Sequence, residues 1–339
     1  MSCFLPESME YMYLCSVAEG AKSPERPGYD RVCGYVAAWL CVWPCGVVYG
    51  PEFQRTMILL ADSGSTKCTW IADNGLRTQE IRTRGINAVQ NSDAQIRGIL
   101  DELPDFEALR AIRFYGAGCG TSFPEATQRL RRELERRFAV TDITIESDLT
   151  AAARALWGEG EGIACILGTG SNSCHCRNGE IIGQVPPLGY ILGDEGSGSA
   201  LGRALLNGLF KGHIPLREEF LAESRLTYEE IIRRVFREPS ANRFLASLAP
   251  FIHSRMECPE IREMVSQAFR EFARRNLKRY PAGLTVACLG GIAAHFEQPL
   301  REALADEGFR VGTIVESPAQ GLIRYHHGEA NYGTEFGIR

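Results

Sequence analysis

Two short stretches place glycine and hydroxyl residues where an anion could be held. The first, Asp62-Ser63-Gly64-Ser65-Thr66-Lys67, lies between the apolar runs 57–61 and 68–72. The second, Gly168-Thr169-Gly170-Ser171-Asn172, lies between 163–167 and 173–176. Each reads as strand, tight turn, strand. Glycine lets a backbone approach a phosphate closely, and turn N–H groups together with Ser and Thr hydroxyls donate to its oxygens. Gly64, Ser65, Thr66, Gly168, Gly170 and Ser171 are therefore candidate phosphate contacts. Either turn alone is equally an ordinary hairpin, since Gly and Ser are common turn residues, but two in equivalent places could clamp one polyphosphate. Asp62 adds a carboxylate at the mouth of the first turn. It could hold Mg2+ through water, because Mg2+ keeps most of its waters and takes one or two carboxylates. Lys67 would meet phosphate charge. Neither a Walker pattern nor the dinucleotide glycine fingerprint is present.

A second group of residues could act on a hydroxyl. The stretch 140–146 alternates like a strand and runs through Ser147 and Asp148 into the strongly helical 149–157. Asp148 at that junction is either a helix cap or a general base that orients a hydroxyl toward a terminal phosphate. Ser147 can serve the cap instead, and the positive helix end would keep Asp148 ionised. Asp194 and Glu195 sit among glycines ahead of a helix over 198–210, as acceptors for sugar hydroxyls or, for Asp194, as a cap. Asn87 offers an amide that could read a hydroxyl or an N-acetyl group. Gly290 and Gly291 separate a strand over 285–289 from a helix over 292–304, which suits close approach of a nucleoside or simply tight helix–strand packing.

The elements that must position these residues follow from the same pattern. Equivalent turns opening two halves of the chain have the outline of an internal duplication, and 339 residues are enough for a two-lobed globule with two cores. The composition is 45% hydrophobic and 23% charged with a net charge of -5, which gives no basic footprint for nucleic acid and favours small-molecule chemistry. Several of the twelve cysteines sit inside apolar runs such as 163–167 and read as reduced core thiols of a cytoplasmic protein. Residues 1–56 read differently from the rest. Their uncharged run 32–50 is interrupted by Gly34, Pro44 and Gly46, so no membrane span is expected. Met57, just before the first convincing strand, reads as the native start, and the upstream stretch as a disordered extension or a start-site artefact.

The ordered series Asp-Ser-Gly-Ser-Thr-Lys, Gly-Ile-Asn-Ala, Glu-Ser-Asp, Gly-Thr-Gly-Ser-Asn, Gly-Asp-Glu-Gly-Ser and Leu-Gly-Gly resembles the N-acetylglucosamine kinase branch of the BadF/BadG/BcrA/BcrD ATPase family over essentially all of 57–339. The resemblance implies an α/β fold of two ribonuclease-H-like lobes, the actin-like ATPase fold, with an interlobe cleft. The lobes would span 57–158, completed by a C-terminal helix over 319–339, and 159–318. It implies ATP and Mg2+ as cofactors, phosphate contacts at Gly64, Ser65, Thr66, Gly170 and Ser171, Mg2+ near Asp62, and nucleoside packing at Gly290 and Gly291. It further implies sugar contacts from Asn87, Asp148, Thr169, Gly189 and Asp194, with Asp148 as base, and it allows a homodimer. The expected reaction is phosphorylation of an N-acetylated amino sugar, N-acetylglucosamine at its 6-hydroxyl. In one departure, Leu188 stands before Gly189 where the animal N-acetylglucosamine kinases carry a Trp. An aromatic platform is lost, which admits N-acetylmuramic acid or glucosamine as acceptors.

Rival readings are an ATPase activator of a radical dehydratase, a sugar-sensing regulator and an actin-like filament or chaperone. The first would use cysteines for an iron–sulfur cluster, but Cys174-His175-Cys176 has no second Cys pair at ligand spacing. The second needs a helix-turn-helix that 1–56 does not supply. The third needs no sugar-directed carboxylates.

Overall fold

A computed structural model of the chain describes residues 41–42, 48–49, 56–64 and 67–330. The chain divides into two compact units, Met1–Gln54 and Arg55–Arg339. In the first, the described residues form an antiparallel pair, β1 (Cys41–Val42) and β2 (Val48–Tyr49). The remaining expectations for 1–56, including the uncharged run, lie outside the described residues.

The second unit carries two five-stranded sheets of one design. The first contains β3 (Met57–Ser63), β4 (Lys67–Asp73), β5 (Thr78–Arg84), β6 (Leu109–Gly116) and β7 (Asp142–Ser147), in the order β5-β4-β3-β6-β7. The hairpin partners β3, β4 and β5 are antiparallel, whereas β3, β6 and β7 run parallel. β3 is apolar over 57–61 because both its faces are covered there. Leu59 and Ala61 join a core with Ile96 and Leu100 of α1 (Asp93–Leu100) and Leu130 and Leu134 of α2 (Pro124–Phe138), while Ile58 and Leu60 pack on the opposite side. The edge strand β5 carries Glu80, Arg82 and Arg84, charges that discourage pairing with another chain.

Between the sheets lies α3 (Asp148–Trp157). Its alanines let both sheets approach: Ala151 packs with Ile58, Leu60 and Tyr115, and Ala152 and Ala153 pack with Ala164, Cys174 and Leu289. Larger side chains there would force the sheets apart, at about 1–3 kcal/mol per overpacked position. The second sheet contains β8 (Glu161–Leu167), β9 (Ser171–Arg177), β10 (Glu180–Val185), β11 (Thr285–Leu289) and β12 (Arg310–Val315). Its order, β10-β9-β8-β11-β12, and its strand directions repeat those of the first sheet, so the duplication read from the two turns is present strand for strand.

A helical block follows β10: α4 (Gly189–Leu192), α5 (Gly198–Lys211), α6 (Arg217–Ser224), α7 (Tyr228–Phe236), α8 (Ala241–Ala246), α9 (Ala249–Ser254) and α10 (Pro259–Arg275). After β11 come α11 (Gly291–His295) and α12 (Glu297–Asp306), in place of the single helix expected over 292–304. The break has a local cause. Pro299 has no N–H to donate to the carbonyl of His295, and its ring would clash there, so the chain starts a new helix at the buried Phe296. Finally α13 (Ala319–Ala330) returns to the first sheet, where Leu322 and Ile323 pack in the cluster of Ile58 and Leu60. A Cβ on Gly321 would lie 2.2 Å from the Ala155 carbonyl oxygen, so only glycine permits this crossing of α13 over α3.

Candidate active site

The carboxyl ends of the parallel strands meet one cavity of about 900 Å3. In the first sheet Ser63 pairs with Gly116 and Gly116 with Ser147, so the turns after β3, β6 and β7 start level. In the second, Leu289 pairs with both Ile166 and Val315, and the turns after β8, β11 and β12 start level as well. Asp62, Ala117 and Asp148 come to the cavity from the first set, and Gly168, Gly290 and Glu316 from the second. Such carboxyl edges are where α/β sheets bind ligands. A second cavity of about 910 Å3, lined by Arg154, Trp157, Arg324 and Tyr325 among others, touches none of these strand ends.

Asp62 and Asp148 form the charged centre. Burial, and after it the charge of Asp148, pushes the Asp62 carboxyl up to about 6, against the opposing effect of Lys67. Burial also raises Asp148 above the usual carboxylate range, although the N–H of Leu149 donates to its Oδ1 at 2.9 Å. Desolvation thus outweighs the backbone donors that the helix end offers the Asp148 carboxylate. The helix cap falls to Ser147, whose hydroxyl accepts from the N–H of Thr150 at 3.1 Å. Asp148 is thus released from capping, and a raised pKa brings a carboxylate nearer to the range of a useful base.

The second turn is built from its own bonds and from α5. The N–H of Gly168 donates to Gly170 O at 2.9 Å, Gly198 N–H to Gly168 O at 2.8 Å and Ser199 N–H to Thr169 O at 3.0 Å. Ser171 spends both its donors inside the protein: its N–H reaches Asp194 Oδ1 at 3.3 Å and its hydroxyl reaches Glu195 O at 2.8 Å. The N–H groups of Thr169 and Gly170 donate to no described residue, so they, with the exposed Thr169 hydroxyl, are the donors this turn offers a ligand. In the first turn Gly64 N–H closes onto Lys67 O at 3.0 Å, and both residues line the cavity. Ser65 and Thr66 lie outside the described residues.

Asp194 lines the cavity in left-handed conformation, with φ 56°. Its carboxylate rests against Gly170, where a Cβ would stand 2.9 Å from Oδ2, and burial raises its pKa. Ser197, not Asp194, caps α5. Gly189 and Gly291 also line the cavity, and a side chain at Gly291 would meet nothing within 4 Å. Gly290 is different: a Cβ there would lie 2.3 Å from Leu167 O, and its φ is 117°, so its glycine serves close strand packing first.

Two expected contacts are turned elsewhere. Glu195 points at α10, with Oε2 accepting from Asn276 Nδ2 at 3.2 Å and Oε1 at 3.6 Å from Arg275, and it is not among the lining residues. Asn87 also stays off the lining: its Oδ1 accepts from the N–H groups of Val89 and Gln90 at 3.0 and 3.1 Å, holding its own turn. Sequence reasoning missed the wall made by α8 and α9, to which Asn242, Ala246, Ala249, Pro250 and His253 belong. It is fixed by Gly202 on α5, where a Cβ would fall 2.0 Å from Leu245 O, and by Gly198 against Ala246. Glu316 and His295 were likewise missed.

Cys68, Cys119, Cys165, Cys174, Cys176 and Cys288 are buried free thiols, as expected. Among the described residues no group of three or more His, Cys, Asp or Glu is placed to hold a metal, and no helix is long and apolar enough to cross a membrane.

No protein-family profile and no curated protein matches the chain. Solved structures do. One from Porphyromonas gingivalis, provisionally assigned as an N-acetylglucosamine kinase, is 41% identical over 81% of this chain and 100% of its own, with a TM-score of 0.75. Another with the same provisional assignment, from Chromobacterium violaceum, is 21% identical over 80% of this chain and 98% of its own, with a TM-score of 0.59, and shares the fold. With the paired sheets, the cavity at their carboxyl edges and this degree of identity, the chain belongs to the N-acetylglucosamine kinase-like family of sugar kinases, built on the actin-like ATPase fold.

Proposed function

We propose that the protein transfers the terminal phosphoryl group of ATP to a hydroxyl of an N-acetylated amino sugar, with the 6-hydroxyl of N-acetylglucosamine as its acceptor. The observation that carries this reading is the convergence in one cavity of Asp148 and Asp62, Gly64 and Lys67 of the first turn, the turn at 168–171, and Asp194. Asp148 takes the hydroxyl proton as the sugar oxygen bonds to the γ-phosphorus; the bond from that phosphorus to the β–γ bridging oxygen breaks, and ADP leaves. Asp194, held in place by the Ser171 N–H and the Gly170 backbone, accepts a hydrogen bond from a second hydroxyl and fixes the ring. Thr169, Gly170 and Lys67 donate to the polyphosphate.

Mg2+ suits the same centre. Asp62 is buried, with the charge of Asp148 raising its pKa further and Lys67 opposing only in part, a setting that favours a divalent cation held through water by Asp62. Such an ion supplies neutralisation of polyphosphate charge.

Leu188 has φ 60° and is 63% exposed beside Gly189, an aliphatic residue at the position that an aromatic sugar platform would take. The acceptor is therefore tested against N-acetylmuramic acid, glucosamine, N-acetylmannosamine and glucose, by measuring ADP release with each. Release dependent on N-acetylglucosamine above the others supports the proposal; release indifferent to every sugar overturns it in favour of a plain ATPase.

A further inference from the structure

Two helices of the cavity wall repeat one arrangement. On α9, Ala249 lines the cavity and His253 follows four residues later; on α11, Gly291 lines it and His295 follows at the same interval. Residues four apart share a helix face, one turn on. Each helix therefore presents a small residue and then an imidazole. The two imidazoles meet, with ring centroids 6.1 Å apart and planes at 66°. His253 is also met edge-on by the buried Phe296, at 5.4 Å and 87°. Both histidines are exposed to the cavity, and their ring nitrogens hydrogen-bond to no described residue.

The slot they end has small apolar walls, from Ala246, Ala249, Pro250 and Gly291. It adjoins the second phosphate turn, because Gly198, where a Cβ would stand 3.0 Å from that of Ala246, donates its N–H to Gly168 O at 2.8 Å. A planar heterocycle joined to a polyphosphate on that turn would lie with its faces on the small side chains and its edge at the imidazoles. An imidazole offers one acceptor and one donor nitrogen, so a pair can accept from an exocyclic amino group and donate to the adjacent ring nitrogen. Adenine presents that pair, whereas guanine presents a carbonyl and a ring N–H in the same places.

We infer that His253 and His295 read the edge of the nucleobase and set a preference for ATP over GTP. The inference rests on the nucleotide reading above but not on the sugar. The plainer role for both residues is to close the last turns of α9 and α11. That role would move stability and leave base preference alone.

The test is calorimetric titration of the full chain, without sugar, with ATP, GTP and inorganic tripolyphosphate. The proteins compared are wild type, His253→Ala, His295→Ala and His295→Gln. Losing one edge hydrogen bond should weaken ATP about tenfold and shrink the ATP-to-GTP ratio, with tripolyphosphate affinity unchanged and part of the loss restored by Gln. Unchanged ATP affinity and ratio in variants that melt with the wild type would overturn the inference, as would an equal loss for tripolyphosphate. A wild type that binds ATP selectively through these histidines yet phosphorylates no amino sugar would sink the sugar reading and leave this one standing.

Discussion

Replacing Asp62 with asparagine should stabilise the metal-free protein while removing activity. Burial and the neighbouring Asp148 raise the Asp62 carboxyl from 3.8 to about 6. Between those values the folded protein holds a proton that the unfolded chain has lost, so this group's contribution to stability falls as pH rises through the window and stays low above it. A gap of about two pH units is worth roughly 3 kcal/mol. Asparagine has the same shape and no charge to desolvate or to repel Asp148. In chelator at pH 8 the variant should therefore unfold with about 1–3 kcal/mol more stability than wild type, a rise of several degrees in Tm, and the gain should shrink toward pH 4. Thermal and urea unfolding across that range measure it. A variant no more stable than wild type at pH 8, or a gain of equal size at pH 4, would refute the electrostatic account of the centre.

Three further substitutions separate packing from chemistry. Gly290→Ala puts a Cβ 2.3 Å from Leu167 O at a φ of 117°, and should cost about 2–4 kcal/mol in urea unfolding, from overpacking and backbone strain together. Gly170→Ala presses on Asp194 Oδ2 at 2.9 Å and should raise KM for the sugar more than KM for ATP in steady-state kinetics. Glu195→Gln should leave kcat within about twofold of wild type, because Glu195 is engaged with Asn276 and Arg275 and is not among the residues that line the cavity.

What could be read from the sequence was mostly local. The two turns, Asp148 at a strand–helix junction and Asp194 among glycines are each defined within a dozen residues, and the structure brings all of them to one cavity. The repeated sheet order followed from the repeated turn. The differences between expectation and structure have physical causes of two kinds. Pro299 inside the expected helix over 292–304 was a visible stop signal that the apolar spacing around it masked. In this structure Glu195 Oε2 is engaged by Asn276 and the Asn87 Oδ1 by its own turn, contacts that spacing does not reveal. The α8–α9 wall was illegible for another reason. Ala246, Ala249 and Pro250 carry no chemistry of their own, and reach the cavity only because Gly202 and Gly198 let α8 lie against α5.

The central claim is that Asp148 accepts the proton of an amino-sugar hydroxyl during phosphoryl transfer from ATP. Asp148→Asn keeps the side chain's shape and should keep ATP affinity within about twofold, while losing about 10²–10⁴ in kcat for ADP release driven by N-acetylglucosamine. Near-normal turnover in that variant, at unchanged stability, would contradict the account.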